Sequence, residues 1–143
     1  MVSCYTMHRL KKKLNIAVID DNAFYNKLFC AQLHMLINHS FQNERENIQV
    51  FPFDCPDSFL MSSRSDFDLI FLDYFFYNNI TASEAIQPIR EKCRQAEIYL
   101  LSEWMSAEPP DTTILPKVDG YFPKDTHALM RCQEILTRFI PAV

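Results

Sequence analysis

Five short apolar runs punctuate the chain, at residues 15–19 (NIAVI), 48–51 (IQVF), 68–72 (DLIFL), 97–101 (EIYLL) and 120–122 (GYF). Each is brief and rich in β-branched or aromatic residues, which predicts buried strands. Between them the apolar spacing lengthens to a helical period. After the first run, Asp20-Asp21-Asn22 offers an N-cap at Asp21 or Asn22 for a helix reaching about His39. Its spacing predicts a buried stripe of Phe24, Leu28, Ala31 and Met35, widened by Phe29, Leu33 and Leu36. A polar loop over 39–47 leads to the second strand, which should end at or near Pro52. A short helix follows around 56–63, with Pro56 tolerated in its first turn. Thr81-Ala82-Ser83-Glu84 fits a capping box, opening a helix to about Gln95 that Pro88 should kink or shorten. Beyond strand four, Pro109, Pro110 and Pro116 leave room only for a short or broken helix. Asp125 or Thr126 should cap a last helix with Leu129, Cys132, Ile135, Leu136 and Phe139 on its apolar face.

Strands alternating with helices imply βαβ units, hence a five-stranded parallel sheet covered on both faces. Right-handed crossovers then bring the carboxyl ends of all strands to one edge, where such sheets bind ligands. Asp20 and Asp21 follow strand one, Asp73 follows strand three, Ser102 follows strand four and Lys124 follows strand five. All of these polar groups should meet at that edge.

Composition narrows what the edge can do. The 143 residues suit one domain, with 48% apolar and 22% charged residues. A formal net charge of -4 gives no basis for direct nucleic-acid binding. The basic run Arg9-Leu10-Lys11-Lys12-Lys13 reads as a solvated lead-in, part of an N-terminal extension over 1–14. No segment approaches the ~20 apolar residues of a membrane span, and the N-terminus lacks the apolar core of a signal peptide. A cytoplasmic protein is therefore expected, with its five cysteines as free and mostly buried thiols. The single glycine, Gly120, excludes glycine-rich phosphate loops. Phosphate chemistry here must rest on side chains and a metal.

Three carboxylates, a hydroxyl and a lysine at one edge fit a hard cation and a phosphoryl group. Mg²⁺ takes oxygen ligands and relieves the repulsion among clustered acids. Lys124 would add a positive charge, Ser102 a neutral donor, and an ionised Asp73 a nucleophile able to form an acyl phosphate. Taken singly, these residues have plainer readings: Asp20-Asp21 as helix capping, Asp73 as a strand-end acid, Ser102 and Lys124 as incidental. Their order at four strand ends is the specific signal.

These motifs resemble the receiver domains of two-component response regulators. The resemblance rests on Ile19-Asp20-Asp21-Asn22, Leu69-Ile70-Phe71-Leu72-Asp73, Leu100-Leu101-Ser102 and Gly120-Tyr121-Phe122-Pro123-Lys124-Asp125, and spans about residues 15–140. It implies a flavodoxin-like (βα)5 fold, a doubly wound sandwich about a parallel sheet. It further implies Asp73 as phosphoacceptor for a histidine kinase or phosphotransfer protein, with Asp20, Asp21, Asp73 and the Phe75 carbonyl holding Mg²⁺. Ser102 and Lys124 would bind the phosphoryl group, and Ser102 and Tyr121 would form the switch. A receiver of this kind is not itself an enzyme. It would signal to a downstream protein or a separate output domain, with a homodimer through the fourth-helix and fifth-strand face as one available assembly. Departures from the pattern are the YFFYNNITASEA stretch after Asp73, the proline-rich segment after strand four, and Glu103, which adjoins Ser102 where the family carries little side chain and so becomes a candidate gate. They keep open a pseudo-receiver, a binding module independent of phosphorylation. A haloacid-dehalogenase-type enzyme fits worse, because its acid/base aspartate would fall at Phe75. Trp104 reads equally as a docking anchor or as half-buried packing.

Overall fold

The computed structural model describes residues 13–76, 80–103 and 112–140. Five strands form one parallel sheet: β1 (Leu14–Ile19), β2 (Ile48–Phe53), β3 (Leu69–Asp73), β4 (Glu97–Ser102) and β5 (Gly120–Pro123). Their spatial order is β2-β1-β3-β4-β5, the doubly wound order of flavodoxin-like sheets. Four helices, α1 (Ala23–Ser40), α2 (Pro56–Met61), α3 (Ala82–Lys92) and α4 (Ala128–Phe139), cover the two faces. Two 3₁₀ turns complete the described elements, Arg45–Asn47 and Thr112–Lys117.

Strand alternation sorts the core into two layers. Leu14, Ile16 and Val18 of β1, with Leu69, Phe71, Tyr99 and Leu101, pack against α1 and α4. Ala17 and Ile19, with Ile70, Leu72, Ile98 and Leu100, pack against α2, α3 and Ile114. The runs of β1, β3 and β4 lack polar alternation because both of their faces are buried. Only β2 carries a proline mid-strand. It lies at the sheet edge, where the missing N–H of Pro52 costs no ladder bond, so β2 runs on to Phe53. Gly120 is required by close approach: a Cβ there would sit 3.0 Å from two ring carbons of Tyr99, its register partner.

Three sequence expectations are corrected. In α1 the buried face is Asn26, Phe29, Cys30, Leu33 and Ile37, whereas Phe24, Leu28 and Met35 are 78%, 41% and 70% exposed and Ala31 is exposed too. The helix instead turns its Asn26 side inward, because that amide has backbone partners at the sheet edge. The capping box does not form. Thr81 is the N-cap of α3 without a side-chain bond, and α3 ends at Lys92, with the Cys93 amide bonded to Ile89 O. Finally, α4 begins at Ala128 with His127 as N-cap, while Asp125 Oδ1 accepts the His127 amide at 2.9 Å in the preceding turn. Lys92 ties α3 to α2 by donating to the carbonyls of Phe59 (2.8 Å) and Leu60 (3.0 Å) at the end of that short helix. Among the described cysteines, Cys30, Cys93 and Cys132 are buried, Cys55 is half-buried, and all four are free. Among the described residues, no helix is long and apolar enough to cross a membrane.

Candidate functional site

The site grows from the same alternation that builds the core. Asp20 continues the Ile16–Val18 side of β1, Asp73 the Leu69–Phe71 side of β3, and Lys124 the Phe122 side beyond β5, so all three project over one face of the edge. The register brings them level: Ile19 pairs with Leu72, and Asp73 pairs with Leu101. Lys124 Nζ then reaches Asp20 Oδ2 at 2.7 Å and Asp73 Oδ1 at 3.1 Å, with all three side chains less than a tenth exposed. Asp21 is half-buried, and ligand oxygens of Asp20, Asp21 and Asp73 lie within 4.8 Å of one another.

The turn from β1 into α1 is fixed from several sides. Asp20 N donates to Phe53 O at 3.1 Å, and Asp20 Oδ1 accepts the Asn22 amide at 2.9 Å. Asn22 Oδ1 in turn caps α1 by accepting the Tyr25 amide at 3.0 Å. Asn26 is buried and donates through Nδ2 to Asp20 O (3.0 Å) and Phe53 O (2.9 Å), while its Oδ1 accepts the Cys30 thiol at 3.4 Å. A buried amide with its polar atoms paired this way pins the Asp20 backbone to the end of β2. Lys124 Nζ also lies 4.3 Å from the centroid of the Tyr25 ring. Sequence motifs mark neither Tyr25 nor Asn26. A polar residue one turn into a helix otherwise apolar on that side is the signal that could have found Asn26.

Electrostatics follow from burial. Desolvation pushes the Asp73 carboxyl up to about 7, with the Asp20 charge adding to it and Lys124 pulling the other way. For Lys124, burial lowers the pKa, but the hydrogen bonds and charges of Asp20 and Asp73 outweigh it and leave the ammonium above its ordinary value.

The remaining expected residues fall at the same edge. Ser102, buried, ends β4, pairs with Pro123 in register, and accepts the Lys124 amide on its carbonyl at 2.8 Å. Tyr121 pairs with Leu100 and packs on the α2–α3 side, the side that Ser102 also continues. Glu103 is exposed, immediately after Ser102. Phe75 forms a single antiparallel bridge with Thr81, and its ring is half exposed and edge-on to Tyr74 at 4.7 Å. Phe76 is buried. Tyr77, Trp104 and most of the proline-rich segment lie outside the described residues.

This fold has parallels among solved structures. The BeF3-activated receiver domain of DrrB, a Thermotoga maritima OmpR/PhoB homolog, superposes with a TM-score of 0.67 at 20% identity, covering 91% of this chain and 99% of that one. The non-phosphorylated HemR receiver domain from Leptospira biflexa gives 0.65 at 16% identity, covering 92% and 97%. Thermotoga maritima TrrA, a response regulator solved with Mg²⁺-BeF, gives 0.57 at 21% identity, covering 87% and 97%. The fold is that of a receiver domain. No family model and no curated protein sequence matches the chain. The carboxylates of Asp20, Asp21 and Asp73 are oxygen donors close enough together to hold a metal ion.

Proposed function

We propose that residues 15–140 form a phosphoacceptor receiver domain that takes a phosphoryl group onto Asp73 from the phosphohistidine of a kinase or phosphotransfer protein. The observation that carries this reading is the clustering of Asp20, Asp21 and Asp73, with Lys124 paired to Asp20 and Asp73, at the carboxyl edge of a receiver fold. In the step proposed, a carboxylate oxygen of Asp73 bonds to phosphorus as the donor's P–N bond breaks, and the bonding pair returns to the imidazole nitrogen. Asp20, Asp21, Asp73 and the Phe75 carbonyl would hold Mg²⁺, which supplies charge neutralisation for the incoming phosphoryl group. Lys124 and the Ser102 hydroxyl would bind phosphoryl oxygens.

Ser102 and Tyr121 continue the same face of neighbouring strands, so a hydroxyl drawn toward phosphate can bias the ring beside it, a two-state element. The signal would leave through that surface to a downstream protein or output domain in the cytoplasm. The domain accepts and loses one group rather than turning over a substrate, and it is not proposed as an enzyme.

A second reading, a pseudo-receiver binding partners without phosphorylation, has one observation on its side. Lys124 already bridges Asp20 and Asp73, so the protein's own cation offsets part of their charge. The deciding experiment is intact mass after treatment with acetyl phosphate and Mg²⁺, on the wild type and Asp73→Asn. One phosphoryl mass on the wild type, absent from the variant, is the expected result. An unlabelled wild type that also fails to bind beryllofluoride would favour the pseudo-receiver, and a labelled Asp73→Asn protein would move the acceptor elsewhere.

A further inference from the structure

Tyr25 is held more firmly than a side chain at a helix start usually is. Its amide is capped by Asn22, and its ring stacks on Phe29 at 5.9 Å with planes 15° apart. Phe29 is buried and edge-on to Phe71 at 5.3 Å, so the stack is anchored in the core. Lys124 meets this fixed ring at 4.3 Å. An ammonium has three N–H donors. Two point to Asp20 and Asp73, and the negative face of the ring lies against the group they leave. Burial first, then the charges of Asp20, Asp73 and Glu103, keep the phenol protonated well above its ordinary range, so the ring brings no negative charge to a phosphoryl site.

We propose that Tyr25 is a positioning residue for the phosphoacceptor site, its ring confining the Lys124 ammonium to the line between Asp20 and Asp73. The inference rests on the phosphoacceptor reading and adds a residue to it. When Asp73 attacks a phosphodonor, negative charge sits on the three phosphoryl oxygens and the donor leaves with its bonding pair. Lys124 must then exchange Asp20 for one of those oxygens while keeping its proton. With the ring on one side, that exchange is the swing open to it. Without the ring, the ammonium gains water and directions that do not lead to phosphate.

The test compares Tyr25→Phe and Tyr25→Leu with the wild type in two measurements. One is the proton shift of the Lys124 ε-methylene, which the ring current of an aromatic neighbour displaces. The other is the rate of Asp73 labelling by acetyl phosphate at saturating Mg²⁺. Tyr25→Phe should keep both the displaced shift and the rate. Tyr25→Leu should lose the shift and label about tenfold more slowly, with core methyl resonances such as those of Leu33 and Leu72 in place to show an intact fold. Wild-type speed in Tyr25→Leu overturns the role, as does equal slowing in Tyr25→Phe, which would assign the effect to the hydroxyl. An Asp73-labelled wild type beside an equally fast Tyr25→Leu removes this role alone. A wild type that takes no label at Asp73 removes the phosphoacceptor reading and the role together.

Discussion

Glu103 adjoins Ser102, the hydroxyl proposed to bind a phosphoryl oxygen. It is exposed, so solvent screens it, and its influence on an anionic donor should be that of a surface charge rather than a buried one. Glu103→Ala should therefore label faster with acetyl phosphate by roughly twofold to fivefold. Glu103→Gln, which keeps the bulk, should gain less. Unchanged rates in both variants would show a side chain turned to solvent and no gate. Asp21 is the cleaner residue-scale test of the metal. It is the least buried of the three acids. Asp21→Asn should weaken Mg²⁺ binding by about tenfold or more in a calorimetric titration. Wild-type affinity there would place the metal elsewhere. Asp20, Asp73, Ser102 and Lys124 were legible in sequence because strand ends are fixed by the apolar runs before them. Tyr25 was not, since its importance lies in a contact between residues 25 and 124 that no local pattern encodes.

At the scale of elements, α1 shows where periodicity runs out. Two apolar stripes overlap on it at Phe29 and Leu33, and the spacing alone points to the one centred on Leu28, which stays exposed. What selects the buried one is Asn26, whose amide must find the carbonyls of Asp20 and Phe53, because a buried polar group left unpaired is costly. The rejected stripe stays in water. Phe24→Ser and Met35→Gln should then shift the urea midpoint by amounts equivalent to about 0.5 kcal/mol or less. Phe29→Ala should cost about 3–5 kcal/mol, since it empties a site between α1 and Phe71. Comparable losses in both sets would contradict the assignment of faces. The capping motif before α3 failed for a related reason. Its Thr81 belongs to a bridge with Phe75, and Ala82 N donates to Tyr74 O, so tertiary pairing took over the start of the helix. Strands were easier to read than helix faces because a strand buried on both sides needs only an apolar run, whereas a helix face depends on what lies opposite.

For the whole molecule, the two core layers that follow from strand alternation also enclose Cys30, Cys93 and Cys132, and that sets a pH limit on stability. Cys132 lies fully buried in the α1–α4 layer, where desolvation pushes its thiol from an ordinary 9 up to about 12. Cys30, buried first and then opposed by the Asp20 charge, rises to about 11. Both are neutral when folded and ionise more easily when unfolded. Their raised folded values therefore contribute stability that is complete below about pH 9 and is lost as pH climbs toward 11 and 12. Within that window the unfolded state releases protons that the folded state keeps, and each thiol should remove about 1.4 kcal/mol per pH unit. Urea unfolding at intervals from pH 7 to 11 should show a plateau and then a steepening decline. Cys132→Val lacks the ionising group. It should start less stable if the site repacks poorly, yet decline less steeply above pH 9, by about 1.4 kcal/mol per unit. The difference in slope separates the thiol's ionisation from its packing, because packing moves the whole curve and ionisation only its alkaline limb. Parallel curves for Cys132→Val and the wild type would mean that solvent reaches this thiol in the folded state and that the α1–α4 layer is open at Cys132.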